Sequence, residues 1–173
     1  DKGCLPYLDN FKNTTVGGID FLWNFGDGTT STEVNPVHLY AASGTYTVTL
    51  TATDLSTCNR TDKFTSTISV YNIPVAGFSF SPNPTKPNRP VDFKNLSIGA
   101  TNYLWIFGDE KTSTLENPTH LFNATGTFKT CLVAFNEAGC SDTTCLDIAI
   151  VVLPVLDVPN AFTPDKFGPN GII

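Results

Sequence analysis

The chain has 173 residues and a net charge of -6, with charged residues making up only 15% of it. An acidic surface repels a phosphate backbone, so nucleic acid is excluded as a partner, and no Lys/Arg-rich run offers itself to a membrane surface. Apolar residues reach 40%, with 13 Phe and no Met, so cores can form while Thr, Ser and Asn cover the surface, a composition that suits pleated strands better than helices.

No signal-peptide pattern opens the chain at Asp1, and it reads as an internal piece of a larger exported protein. Phe21, Trp23 and Phe25 share one face of a first clear strand. The turn Gly26-Asp27-Gly28 follows, then Asn35-Pro36 and His38. After Ser43-Gly44 comes a long alternating strand in which Tyr46, Val48, Leu50 and Ala52 face one way and Thr45, Thr47, Thr49 and Thr51 the other. A last strand sets Phe64, Ile68 and Val70 against Thr65, Thr67 and Ser69. The short, Pro-bearing linker Tyr71-Asn72-Ile73-Pro74 predicts a fairly fixed relation to what comes next.

What comes next is the same pattern again. Shifted by 82 positions, Trp23-Asn24-Phe25-Gly26-Asp27 meets Trp105-Ile106-Phe107-Gly108-Asp109. Phe11-Lys12-Asn13 meets Phe93-Lys94-Asn95, Asn35-Pro36 meets Asn117-Pro118, His38-Leu39 meets His120-Leu121, and Cys58 meets Cys140. The second copy starts near Ile73 with a strand from Val75 to Phe80 and a Pro-rich loop from Ser81 to Pro90. Asp1 aligns with Asn83, so the first strand of copy one is mostly missing or supplied from upstream. No window of helical length has a 3.6-residue period. The expectation is all-β: two tandem immunoglobulin-like β-sandwiches over residues 1–72 and 73–156, then a truncated third β segment over 157–173. The longest apolar run, Ile148 to Leu156, is too short to span a bilayer and is broken by Pro154, so no membrane insertion is expected.

Trp23, Phe25, Trp105 and Phe107 lie on the inward face and are core residues rather than sugar-stacking platforms. Asp27 and Asp109 are turn residues, because Asp tolerates positive φ and hydrogen-bonds its own backbone. The alternative is a calcium site on the same carboxylates with nearby carbonyl oxygens; no other cofactor is expected. A glycosidase pair would need a second carboxylate about 5–9 Å away, and no repeated partner is present. A neutral imidazole bonded to backbone accounts for His38 and His120. No serine-nucleophile elbow and no phosphate loop is present, so no catalytic residue is assigned.

Five cysteines without a C-x-x-C pair point to disulfides in an oxidising compartment. Phe128, Leu132 and Ala134 point inward, which turns Cys131 outward; Leu146, Ile148 and Ile150 point inward, which turns Cys145 outward. A hairpin centred near Ala138 sets the two thiols opposite each other within disulfide reach. Cys4 lies where copy one would approach copy two, so Cys4–Cys140 between domains and Cys4–Cys58 within copy one both remain open. Leu104, Ile106, Val133 and Phe135 fall on the outer face of copy two as an interaction patch, with Leu22 its counterpart in copy one.

The stretches Trp23 to Gly28, Asn35-Pro36-Val37-His38-Leu39-Tyr40 and Gly44-Thr45-Tyr46-Thr47-Val48, with their second copies, resemble the PKD domain, an immunoglobulin-like sandwich of extracellular proteins. The likeness runs from about residue 5 to 152, with Glu110 replacing the second turn glycine and Phe122 the tyrosine. The tail Val158-Pro159-Asn160-Ala161-Phe162-Thr163-Pro164 resembles the start of the type B C-terminal sorting domain of type IX secretion substrates, as in gliding-motility-associated proteins. Asp165 to Gly171 departs from the Asn-Gly-Asp-Gly-like turn of that family. The resemblances imply a non-enzymatic spacer or adhesin, secreted or at the outer-membrane exterior. They imply secretion and outer-membrane machinery as partner of the tail, with glycans or proteins as ligands of the modules. Two other readings are an accessory segment of a secreted hydrolase and a glycan-binding module.

Overall fold

The computed structural model describes residues 1–56, 58 and 60–152; the expected third β segment lies outside them. Copy one contains β1 (Lys2–Cys4), β2 (Tyr7–Asn10), β3 (Asp20–Asn24), β4 (Thr30–Ser31), β5 (Val37–Tyr40), β6 (Gly44–Thr53) and β7 (Thr61–Tyr71). Copy two contains β8 (Phe78–Ser81), β9 (Pro90–Asn95), β10 (Asn102–Ile106), β11 (Thr112–Ser113), β12 (Thr119–Leu121), β13 (Gly126–Phe135) and β14 (Ser141–Ile150). Every element among the described residues is a strand, and the architecture is two β-sandwiches in tandem.

In copy one, β1-β7-β6-β3-β4 forms one sheet and β2-β5 the other. In copy two the sheets are β11-β10-β13-β14 and β12-β9-β8. The Thr-rich alternation of β6 produces its burial pattern: Val48, Leu50 and Ala52 are buried, and the threonines between them face outward. Trp23, Phe25, Tyr40, Val48, Leu50, Ile68 and Val70 form the first core. Phe78, Val91, Phe93, Trp105, Phe107, Phe122, Leu132, Ile148 and Ile150 form the second. Full burial of each large apolar side chain stabilises by about 1.5–3 kcal/mol.

The cores differ at one place. In copy two, β8 pairs with β9 and drops Phe78 onto Trp105, ring centroids 5.1 Å apart. Among the described residues copy one has no strand beyond β2 in its smaller sheet. Phe93 is therefore 2% exposed, whereas its twin Phe11 is only half-buried. Phe64, expected to share the inward face of Ile68, is 69% exposed for the same reason. Leu146, also expected inward, is 40% exposed; it pairs with Thr130 at the margin of the sandwich. The first strand of copy two begins at Phe78 rather than Val75, which makes only an isolated bridge to Ile98.

Polar and covalent bonds fix the junction. Leu5 N–H donates to Tyr71 O at 3.0 Å, continuing the β1–β7 pairing past Cys4. Asn136 Nδ2 donates to Asn72 O at 2.8 Å, and Ala76 N–H to Asp142 Oδ2 at 2.8 Å. A disulfide joins Cys4 to Cys140, Cα atoms 5.6 Å apart.

Candidate functional site

The most chemically loaded residues of each copy meet where the Gly-Asp turn closes over the strand that carries the histidine. In copy one, Asp27 Oδ1 accepts from Thr29 N–H at 3.0 Å and from Thr29 Oγ1 at 2.6 Å. Its other oxygen, Oδ2, lies 2.7 Å from His38 Nε2. The His38 ring lies flat on Phe25, centroids 4.0 Å apart with 2° between planes, and edge-on to Tyr40. In copy two, Asp109 Oδ2 lies 2.9 Å from His120 Nε2, and His120 lies flat on Phe107 at 3.9 Å. Lys111 N–H donates to Asp109 Oδ1 at 3.3 Å. The histidines are thus bonded to carboxylates rather than to backbone, which corrects the expectation for both. Positive φ in these turns belongs to Gly26, Gly28, Gly108 and Glu110, not to the aspartates. The aspartates bond the backbone two residues on, and each also reaches across to β5 or β12.

Burial raises the Asp27 pKa, but the two bonds from Thr29 and the one from His38 outweigh it and hold the carboxyl below its usual 3.8. Both oxygens face hydrogen donors, which is how a protein stabilises an anion rather than how it ligates a cation. Among the described residues no group of three or more His, Cys, Asp or Glu is gathered to hold a metal ion. The imidazole is pinned between rings with Nε2 spent on the carboxylate. The arrangement therefore clasps turn to strand.

A buried carbonyl shows how closely the two clasps are matched. In copy one, Tyr40 OH donates to Phe25 O at 3.0 Å. Copy two has Phe122 there, with no hydroxyl, and Thr130 replaces Val48 on the neighbouring strand. Thr130 Oγ1 donates to Phe107 O at 3.1 Å. Two substitutions exchange the donor, and the acceptor stays satisfied, as a buried carbonyl requires.

The other sequence-singled residues fall into separate places. Trp23 and Trp105 are closed into the cores, each donating its indole N–H to a loop carbonyl, Glu33 O at 3.1 Å and Leu115 O at 2.9 Å. Cys131 and Cys145 are a register pair of β13 and β14 and are disulfide-bonded. Cys58 is a free, exposed thiol. On the same outer face as Cys131, Leu104 pairs with Val133 and Ile106 with Cys131, while Phe135 sits opposite Asn102. Ile106 is exposed and the other three are half-buried. The structure brings neither Asp into this patch.

A family model described as the PKD domain matches residues 9–70 and again 74–151. The chain belongs to the PKD domain family. Its PKD domains are 30% identical over 131 residues to collagenase ColQ1 of Bacillus cereus strain Q1, across 76% of this chain and 12% of that one. Collagenase ColA of Bacillus cereus is 56% identical over 48 residues, 28% of this chain and 5% of its own length. The pre-pro-metalloprotease PrtV of Vibrio cholerae is 43% identical over 54 residues, 31% of this chain and 6% of its own. The crystal structure of the PKD1 domain of that metalloprotease covers 46% of this chain and 99% of its own at 28% identity, with a TM-score of 0.42. This PKD pair thus spans 5–12% of the length of the curated relatives named here.

What the sequence reading missed is the partner of each histidine. The signal was present: His38 follows Asp27, and His120 follows Asp109, by the same 11 residues.

Proposed function

We propose that this PKD pair is the non-catalytic accessory segment of a longer exported hydrolase, a stiff two-module arm that holds a catalytic region against a macromolecular substrate. The observation that carries the reading is the likeness to collagenase ColQ1, which runs through both modules rather than one. The Cys4–Cys140 staple agrees with it, because an arm that positions a partner must not fold back on itself. The test is to purify the full-length protein with and without residues 1–152 and compare hydrolysis of fibrillar collagen and of a soluble peptide. Loss on fibrils with the soluble rate retained supports the accessory role. A full-length protein that cleaves neither overturns it.

A second reading is a spacer or adhesion module of a cell-surface protein exported by type IX secretion, with glycan or protein ligands. The resemblance of residues 158–164 to a sorting-domain opening supports it. Outer-membrane machinery would be the partner of that tail. Surface labelling of cells with and without residues 157–173 tests the export step.

A further inference from the structure

The loop between β8 and β9 gathers positive charge on a chain that is otherwise acidic. Residues 82–90 hold Lys86 and Arg89 and no Asp or Glu, whereas the chain as a whole carries a net charge of -6. Both side chains are exposed. Neither has an acidic partner among the described residues, where the ion pairs are those of Asp27 with His38 and of Asp109 with Lys111 and His120. Both border an open hollow of about 380 Å³ whose other walls are Pro82, Pro84 and Pro90.

The loop is tied down on the sandwich. Thr85 is fully buried; its Oγ1 donates to Ala149 O at 2.7 Å, and its carbonyl accepts from Val151 N–H at 3.0 Å. These bonds lay the loop along the end of β14, where Thr85 bridges Ile150. Asn88 adopts φ of 56° and donates its N–H to Phe122 O at 2.8 Å. Lys86 and Arg89 therefore leave a backbone fastened at residues 85 and 88, and prolines at 82, 84, 87 and 90 stiffen the rest by fixing φ.

The repeat shows that the fold does not require cations here. Thr85 bridges Ile150 as Gly3 pairs with Val70, so the twin of Lys86 is Cys4 and the twin of Arg89 is Tyr7. Cys4 is bonded to Cys140, and Tyr7 lies over Gly3 and stacks on Tyr40. Copy one uses both positions for structure. Copy two places long charged side chains there and leaves them facing solvent beside an apolar wall.

We infer that this hollow is a binding site for an acidic sugar, a uronic acid unit of a polysaccharide. Small-molecule sites are concave, mostly apolar and set with a few polar groups, and this volume admits a sugar unit or two. The sugar carboxylate is taken by Arg89 and Lys86 in charge-assisted hydrogen bonds, while the proline rings cover the C–H face of the sugar ring. A peptide carboxylate is served less well. Three of the five lining residues are prolines without an N–H, so the wall cannot supply the main-chain bonds of an added strand. A duplex or an anionic bilayer would lay its charges along the acidic rest of the surface. A single sugar acid meets only this hollow, because charges beyond about 8 Å are screened at physiological ionic strength. Such a site serves an accessory arm and a surface adhesin alike, and it does not depend on which exported protein carries the pair.

The test titrates the 173-residue chain with trigalacturonate and, in parallel, with neutral maltotriose and with triglutamate, following the amide resonances of residues 83–89 by NMR. The expected result is binding of trigalacturonate about ten-fold tighter than of either control, the difference that one charge-assisted pairing makes. Arg89→Gln and Lys86→Gln, both at exposed positions, should each weaken that binding by about five-fold, and added salt should weaken it as well. Equal affinity for maltotriose overturns the inference, as does the absence of any trigalacturonate-induced shift. Triglutamate binding as tightly also overturns it, since the hollow then takes acidic peptides. Trigalacturonate binding that survives both substitutions unchanged does the same.

Discussion

Substituting alanine at Gly26 tests how closely the Gly-Asp turn approaches the strand beneath it. Gly26 has φ of 82°, and a Cβ there would stand 2.7 Å from Thr47 O and 2.8 Å from Thr47 N. Left-handed backbone costs alanine roughly 1–2 kcal/mol. Pressing a methyl group into backbone atoms that strand pairing holds in place adds about 1–3 kcal/mol. Gly28, two residues on, has φ of 94° but nothing within 4 Å of a Cβ, so Gly28→Ala incurs only the backbone term. Copy two supports the distinction: Glu110 occupies the place of Gly28 with φ of 70°, while Gly108 is retained with a Cβ position 2.7 Å from Lys129 O. Gly26→Ala should therefore lower Tm further than Gly28→Ala, by at least about 4 °C for a domain of this size. Thermal unfolding of both variants by circular dichroism reads the difference. Equal shifts, or a larger one for Gly28→Ala, would refute the contact argument.

Three further outcomes follow from the same geometry. Tyr40→Phe should cost about 1–3 kcal/mol in denaturant unfolding by stranding the Phe25 carbonyl, and adding Val48→Thr should recover part of it, as Thr130 does in copy two. The Asp27 carboxyl is held below its ordinary pKa, so the stability it contributes is present above pH 3.8 and is lost as pH falls through the folded-state value; the gap in stability between the native chain and Asp27→Asn should close over that acid range in a pH titration of unfolding. Without reductant, a thiol reagent should label one cysteine per chain, and Cys58→Ser should abolish the labelling.

The tandem sandwiches were legible because Trp23, Phe25, Trp105 and Phe107 carry both the alternation and the repeat, and burial depends on little else. Phe64 was misjudged because parity sets only which face a side chain takes, whereas its exposure depends on whether a neighbouring strand covers it, and among the described residues no strand lies beyond β2. The clasps were half legible: spacing placed Asp27 in a turn, but the reach of His38 back to Oδ2 depends on how β5 lies across the turn. The departure of copy two at Phe122 was legible in the repeat, but nothing along the chain tied it to Thr130, eight residues on. Only the fold shows that both concern one carbonyl.

The bond between Cys4 and Cys140 also decides how this pair would respond to being pulled. Tension applied between its two ends crosses from Cys4 to Cys140 directly, and the stretch between them, a sequence separation of 136, becomes an unloaded side loop. At about 3.3 Å per residue, roughly 450 Å of potential extension is withheld while the sulfurs are joined and released once they are reduced. The same two modules would thus be a short strut in an oxidising medium and a long tether in a reducing one.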